Sequence, residues 1–188
     1  CEAACTRGNI DAPVSIDAIK KFIAAQDLNA ETRYVPEIVI PSNDLKQWPD
    51  KIAIIGAGPA GLFAGLVLVN NGVKPIIIEQ GKRVEDRKKD VDDFINGGKL
   101  NVKSNIQFGE GGAGTFSDGK LTSGIHSIYC RNVLEEFVKF GAPEQIKYVN
   151  KPHIGTDNLV NILRNIREYI LANGGTFLFN RKFVDFET

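Results

Sequence analysis

The chain has 188 residues, 43% of them hydrophobic, and its 23 Lys plus Arg balance 23 Asp plus Glu. That length holds one full domain or pieces of two, and the apolar share suffices for a substantial core. Zero formal net charge removes any global electrostatic case for nucleic acid or acidic membranes as partners. No apolar run approaches the roughly 18 residues of a membrane span, and no signal-peptide pattern opens the sequence. A soluble, cytoplasmic protein is expected. The sequence begins at Cys1, contains no methionine and ends on a strand-like run, Lys182 to Glu187. It reads as a fragment of a longer polypeptide, with a processed mature domain as the alternative.

In chain order, Cys1 and Cys5 come first, two thiols four positions apart. A [4Fe–4S] cluster needs four thiolates, so the pair alone also reads as buried thiols or a disulfide. Ser15 is placed to cap a helix that carries Ile16, Ile19, Phe22 and Ile23 on one face. Residues 1–30 form this first helical segment. Residues 31–50, with Pro36, Pro41, Ser42, Asn43 and Pro49, read as a linker, and Trp48 as a packing anchor.

The stretch from Lys51 to Gly65, KIAIIGAGPAGLFAG, carries the strongest signal. Lys51 to Ile55 reads as a strand buried on both faces of a parallel sheet. It ends in Gly56, Gly58 and Gly61, a G-x-G-x-x-G, with Pro59 and Ala60 opening a helix that runs to Asn71-Gly72. Pro75 to Ile78 is a second strand, finishing on Glu79, and the adjacent Gln80 joins the expected cofactor-binding residues. Gly56 permits the tight turn, Gly58 lets backbone approach a pyrophosphate, and Gly61 lets helix lie on strand. The free N–H groups of the helix N-terminus then face the phosphates. Glu79 lies 23 positions after Gly56, close to the usual spacing of about 20 at which a carboxylate meets ribose hydroxyls.

Beyond Glu79, the mixed charges of Lys82 to Asp90 with Val84, Val91, Phe94 and Ile95 predict a helix whose charges form a solvated face. Arg83 is a candidate contact to the adenosine half of a dinucleotide. Phe108 to Leu121 holds five glycines in eleven positions, 109 to 119, and reads either as a mobile loop or as a backbone that passes close to a ligand. Gly112, Gly114, Thr115 and Lys120 join the expected binding set, with Asp118 as a further polar candidate. Ser127 is placed to cap a helix with Val133, Leu134, Phe137 and Val138 inward, and Cys130 reads as a core thiol. Thr156 or Asp157 is expected to cap a longer helix with Leu159, Ile162, Leu163, Ile166 and Ile170 on one face. Thr176 to Phe179 would be a third parallel strand, and Lys182 to Phe186 the start of an antiparallel excursion. His126 and His153 are of a residue type that serves as acid or base, but neither has a spacing partner that defines a site, and Pro152-His153-Ile154-Gly155 reads as a tight turn. No residue is assigned a catalytic role.

Two resemblances extend this reading. CEAACTRGNIDAPVSIDAIKKFIA, with Pro36-Glu37-Ile38 and Ile40-Pro41, resembles the end of the cysteine-rich N-terminal domain of the glutamate synthase small-chain family, itself similar to part of dihydropyrimidine dehydrogenase. That resemblance covers about residues 1–60 and implies Cys1 and Cys5 as two iron–sulfur ligands. From Glu79 onward the chain instead resembles a family of FAD-dependent dehydrogenases, sometimes called NAD(FAD)-utilising dehydrogenases, through IIIEQGKRVEDRKKDV, NIQFGEGGAGTFSDGKLTS, CRNVLEEFVKFGAPEQI and KPHIGTDNLVNILRNIREYI.

This second likeness implies an α/β fold over residues 51–188: the N-terminal part of a Rossmann-like, glutathione-reductase-type FAD-binding domain. It also implies the Gly56 to Gly61 turn on the pyrophosphate, Glu79 on the ribose and the glycine loop near the flavin ring. The function expected of the parent protein is that of a flavin-dependent oxidoreductase passing electrons between NAD(P)H or another donor, FAD and a [4Fe–4S] cluster, with this fragment inactive on its own. A small-molecule redox substrate and a redox partner protein would take part. The alternatives are an electron-transfer subunit of the glutamate synthase type and a nucleotide-binding fragment without turnover.

Overall fold

Secondary structure follows the apolar periodicity and the glycines that interrupt it. The computed structural model describes residues 16–29, 49, 51–117, 119–121, 124–125, 127–149 and 151–185, and the chain divides into two compact units, 1–39 and 40–188. In the first unit the expected helix forms as α1, Ile16–Asn29. Its stripe is largely bare, with Ile19, Phe22 and Ile23 all half or more exposed. Cys1, Cys5, Ser15, Trp48, Asp118, His126 and nearly all of the 31–50 linker lie outside the described residues.

The second unit contains β1 (Lys51–Ile55), α2 (Pro59–Asn70), β2 (Lys74–Ile78), α3 (Val84–Ile95), α4 (Ile128–Lys139), α5 (Thr156–Ala172) and β3 (Thr176–Leu178). The strands form one parallel sheet in the order β1-β2-β3. Lys51 to Ile55 pairs in register with Lys74 to Ile78, and Ile76 to Ile78 with Thr176 to Leu178. This is a mixed α/β arrangement. α2 lies against β1 and β2, and α5 against α2 and β3. Ile77 is buried beneath Leu62, Leu66 and Val69 of α2 and Ile162, Ile166 and Ile170 of α5. Each side chain buried this fully contributes about 1.5–3 kcal/mol. Phe63 and Phe137 meet edge to face at 5.3 Å and bring α4 onto the same core.

Four expectations are corrected. β1 is not buried on both faces: Ile52 and Ile54 are half-buried, whereas Lys51, Ala53 and Ile55 are exposed. Ile54 faces α2 at Gly61, and the period of two turns its neighbours away from that helix. The cap of α5 is Gly155, at φ +83, with no side-chain bond, so neither Thr156 nor Asp157 caps it. Residues 181–185 form no strand. After β3, Asn180 turns at φ +55 and the chain is pinned to the end of β2, Asn180 N donating to Gly81 O and Arg181 N to Glu79 O. Lastly, Pro152 to Ile154 is an antiparallel bridge rather than a tight turn. Leu121 N donates to Pro152 O, Ile154 N to Gly119 O, and Lys120 pairs with His153.

The remaining helices form where they are expected, with departures in which side chains they bury. Ser127 caps α4 by accepting the Tyr129 N–H at 3.2 Å. α3 spans the mixed-charge stretch, although its buried side chains are Val84, Arg87 and Val91, while Phe94 and Ile95 are exposed. The charged face is therefore not wholly solvated. Cys130 is not the core thiol expected: it is half-buried near the start of α4, its thiol 3.5 Å from Ile125 O.

Candidate nucleotide-binding site

The site is built where β1 and β2 end. Gly56 turns at φ +97, which L side chains adopt only with strain, and its N–H donates to Ile78 O at 2.7 Å. Gly58 precedes α2 with Pro59 at the first helical position. A β-carbon on Gly61 would sit 2.0 Å from Gly56 O, so glycine is what lets α2 cross the turn this closely. At Gly56 and Gly58 a β-carbon would meet nothing within 4 Å, which leaves room against the backbone for a ligand. The first N–H groups of α2 have no partners within the helix, and the positive end of its dipole favours an anion there.

Glu79 is buried. Its Oε2 accepts the Ala57 N–H at 2.8 Å and its Oε1 the Gly81 N–H at 2.7 Å, so the carboxylate ties the glycine turn to the end of β2. Replacing Glu79 with alanine deprives both donors of that acceptor. A buried unpaired donor costs about 1–3 kcal/mol. A domain of this size loses about 2–4 °C of melting temperature per kcal/mol, so a thermal melt should fall by several degrees. An unchanged midpoint would mean the carboxylate does not hold the turn.

The glycine loop crosses this turn. Gly111 N donates to Ala57 O at 2.8 Å and Glu110 N to Lys82 O at 3.1 Å, while Gly112 lies against Gly58 and Pro59. One cavity of about 370 Å³ is lined by Gly56, Gly58, Glu79, Gln80 and Gly112, with Gln107, Phe108 and Gly109 from the loop and Arg181, Lys182 and Phe183 after β3. The expected binding residues do not all meet there. Pro59, Ala60, Gly114, Thr115 and Lys120 line a second, apolar cavity of about 390 Å³ above Phe63, Phe137 and Leu163. Arg83 lines a third, beside Lys82 and Asp86, with its guanidinium 5.8 Å from the centre of the Phe179 ring. Gly61 lines none of these three, because its role is the close helix crossing. His153 is exposed.

Sequence reasoning missed Arg181, to which it gives no role, and Lys182, which it places in a strand-like run; two adjacent cations after β3 are the available signal. It also missed a buried ionic cluster. Glu110, fully buried, accepts from Val84 N at 2.8 Å and from Arg167 through Oε2. Arg167 also bonds both oxygens of Glu85. Burial pushes the Glu110 carboxyl up to about 7, against the opposing charge of Arg167 and the Val84 amide. Burial also lifts Glu85, but the bonds and charge of Arg167 outweigh it and leave that carboxyl below its ordinary value.

The donor set suits a nucleotide diphosphate: an anion-favouring helix end, bare glycine backbone, a carboxylate within the same cavity and two cations at its edge. Residues 50–89 match the family model of the FAD binding domain. The chain is 47% identical to an uncharacterized protein of Clostridium beijerinckii over 152 residues, 81% of this chain and 28% of the relative. It is 39% identical over 80 residues to the NAD-dependent dihydropyrimidine dehydrogenase subunit PreT of Escherichia coli (strain K12), 43% of this chain and 18% of that protein. With the glutamate synthase [NADPH] small chain of the same organism it shares 38% identity over 80 residues, 43% of this chain and 16% of the other. The chain thus spans less than a third of the length of these relatives. Among the described residues no helix is long and apolar enough to cross a membrane, and no group of three or more His, Cys, Asp or Glu is placed to hold a metal.

Proposed function

We propose that this chain supplies the FAD-binding part of a flavin-dependent oxidoreductase, built on the first half of a Rossmann-like, glutathione-reductase-type domain. The observation that carries the reading is that Gly56, Gly58 and the Glu79 carboxylate line one cavity inside the stretch matching the FAD binding domain. In this reading the α2 N-terminus and Gly58 hold the diphosphate, Arg181 and Lys182 neutralise its charge, and Glu79 receives the ribose hydroxyls. FAD, when bound, accepts a hydride and releases electrons singly, and the protein's part is to hold it and tune its potential.

The donor is NADH or NADPH. The names of PreT and the glutamate synthase small chain favour a role as one component of a larger electron-transfer assembly. Cys1 and Cys5 would supply two of the four thiolates of a [4Fe–4S] cluster, giving electrons a route between flavin and a partner protein in the cytoplasm. Titrating the chain with FAD while following flavin fluorescence is expected to give saturable one-to-one uptake; no uptake overturns the reading. Stopped-flow mixing of the loaded parent protein with NADH or NADPH should bleach the flavin absorbance. Uptake by the parent without bleaching would make it a nucleotide-binding protein rather than a redox one.

A further inference from the structure

Arg87 closes the first turn of α3, in a run of charges that periodicity assigns to solvent, yet it is fully buried. Its guanidinium donates to a set of backbone carbonyls. Nε donates to Asn105 O at 2.7 Å and Nη2 to Ile106 O at 2.7 Å. Nη1 donates to Glu110 O at 2.7 Å and reaches Gly109 O at 3.5 Å. The flat face rests 4.7 Å from the centre of the Phe116 ring. A β-carbon on Gly109 would lie 2.5 Å from Arg87 Cδ, so the loop is drawn tight onto this side chain.

These four carbonyls bracket Gln107 and Phe108, which with Gly109 form one wall of the glycine-turn cavity. Asn105 closes the short turn from within, its Oδ1 accepting the Gln107 and Phe108 N–H groups. We propose that Arg87 is a positioning residue for the nucleotide site: its planar fork fixes the wall formed by residues 105–110 across the Gly56–Gly61 turn without itself lining that cavity. A planar guanidinium has five donors in fixed directions, whereas lysine offers three from one point. Burial lowers the Arg87 pKa to about 10 against the raising charges of Glu79 and Glu110, so it remains a cation at neutral pH.

The proposal rests on FAD being the ligand, and the test separates the two. Wild type, Arg87→Lys and Ile146→Ala are compared as the full chain; Ile146 is a buried core residue in a 3-10 turn beyond α4. Arg87→Lys is expected to weaken FAD binding at least about tenfold and to speed hydrogen exchange at the Glu110 and Gly111 amides without FAD. Ile166 and Ile170 in α5 should keep their protection. Ile146→Ala should lower the melting temperature while leaving FAD affinity within about threefold of wild type. Arg87→Lys with wild-type affinity overturns the proposal, as does loss of affinity in both variants in step with melting temperature. If wild type takes up no FAD, the functional reading fails. The exchange data then decide alone, and unchanged exchange at Glu110 and Gly111 in Arg87→Lys rejects the clamp.

Discussion

Gly61→Ala is expected to abolish tight FAD binding and to lower the stability of the chain by about 3 kcal/mol, the upper end of the usual overpacking cost. The added methyl would lie 2.0 Å from Gly56 O, 3.2 Å from Gly56 C and 3.3 Å from Ile54 Cγ2. Two of these three neighbours are backbone atoms of the turn, so relief requires α2 to lift off β1. That movement carries Gly58 away from its place in the glycine-turn cavity. A melting temperature lowered by roughly 6–12 °C would accompany the change. Gly58→Ala makes the complementary comparison, because its β-carbon meets nothing within 4 Å and the residue sits at φ −71. That variant should melt close to wild type yet bind FAD more weakly, since the methyl takes up space left for the ligand. If Gly61→Ala matched wild type in both measurements, the close crossing of α2 over the turn would be wrong.

Arg167→Met is expected to cost about 3–5 kcal/mol, the range for removing one partner of a buried ion pair. Arg167 is the cation bonded to both buried Glu110 and Glu85, and its loss strands Glu110 inside the core. The pH dependence follows from the sign of the Glu110 shift. Its folded value of about 7 lies above its ordinary 4.5, so the folded state binds the proton more tightly than the unfolded one. Its contribution is full below pH 4.5 and is lost as pH rises through about 7. Glu85 runs the other way: its lowered value gives stability above 4.5 that is lost as pH falls. With the guanidinium gone, Glu110 becomes harder still to ionise. Urea melts should therefore show a larger deficit for Arg167→Met at pH 8 than at pH 5. Adding Glu110→Gln should restore part of the loss at pH 8. An equal deficit at both pH values would remove Glu110 from the explanation.

The βαβ unit was legible because its information is local. An isoleucine run, three glycines at fixed offsets, a proline at the start of a helix and an acid after the next strand lie within 30 consecutive residues. The buried stripe of α5 was legible for the same reason, since Leu159, Ile162, Leu163, Ile166 and Ile170 repeat at helical spacing. The ionic cluster was not. Glu85, Glu110 and Arg167 come from two helices and a glycine loop up to 82 positions apart, and each sits among residues that look solvent-facing. Whether a charged side chain is buried depends on which distant partner meets it, and one-dimensional periodicity carries no record of that. The division of the expected binding residues among separate cavities is hidden likewise, because the glycines permit the path of the loop while its distant partners Arg87 and Ala57 select it.

The clamp on residues 105–110 also bears on how a nucleotide would arrive and depart. Immobilising one backbone residue costs about 1–2 kcal/mol of conformational entropy. For Gln107 and Phe108 that ordering is complete once the polypeptide has folded. A molecule docking against them meets a preorganised mould and forfeits little of its binding energy to stiffening it. Differences in affinity among variants that keep the mould intact should then lie chiefly in how fast the molecule leaves.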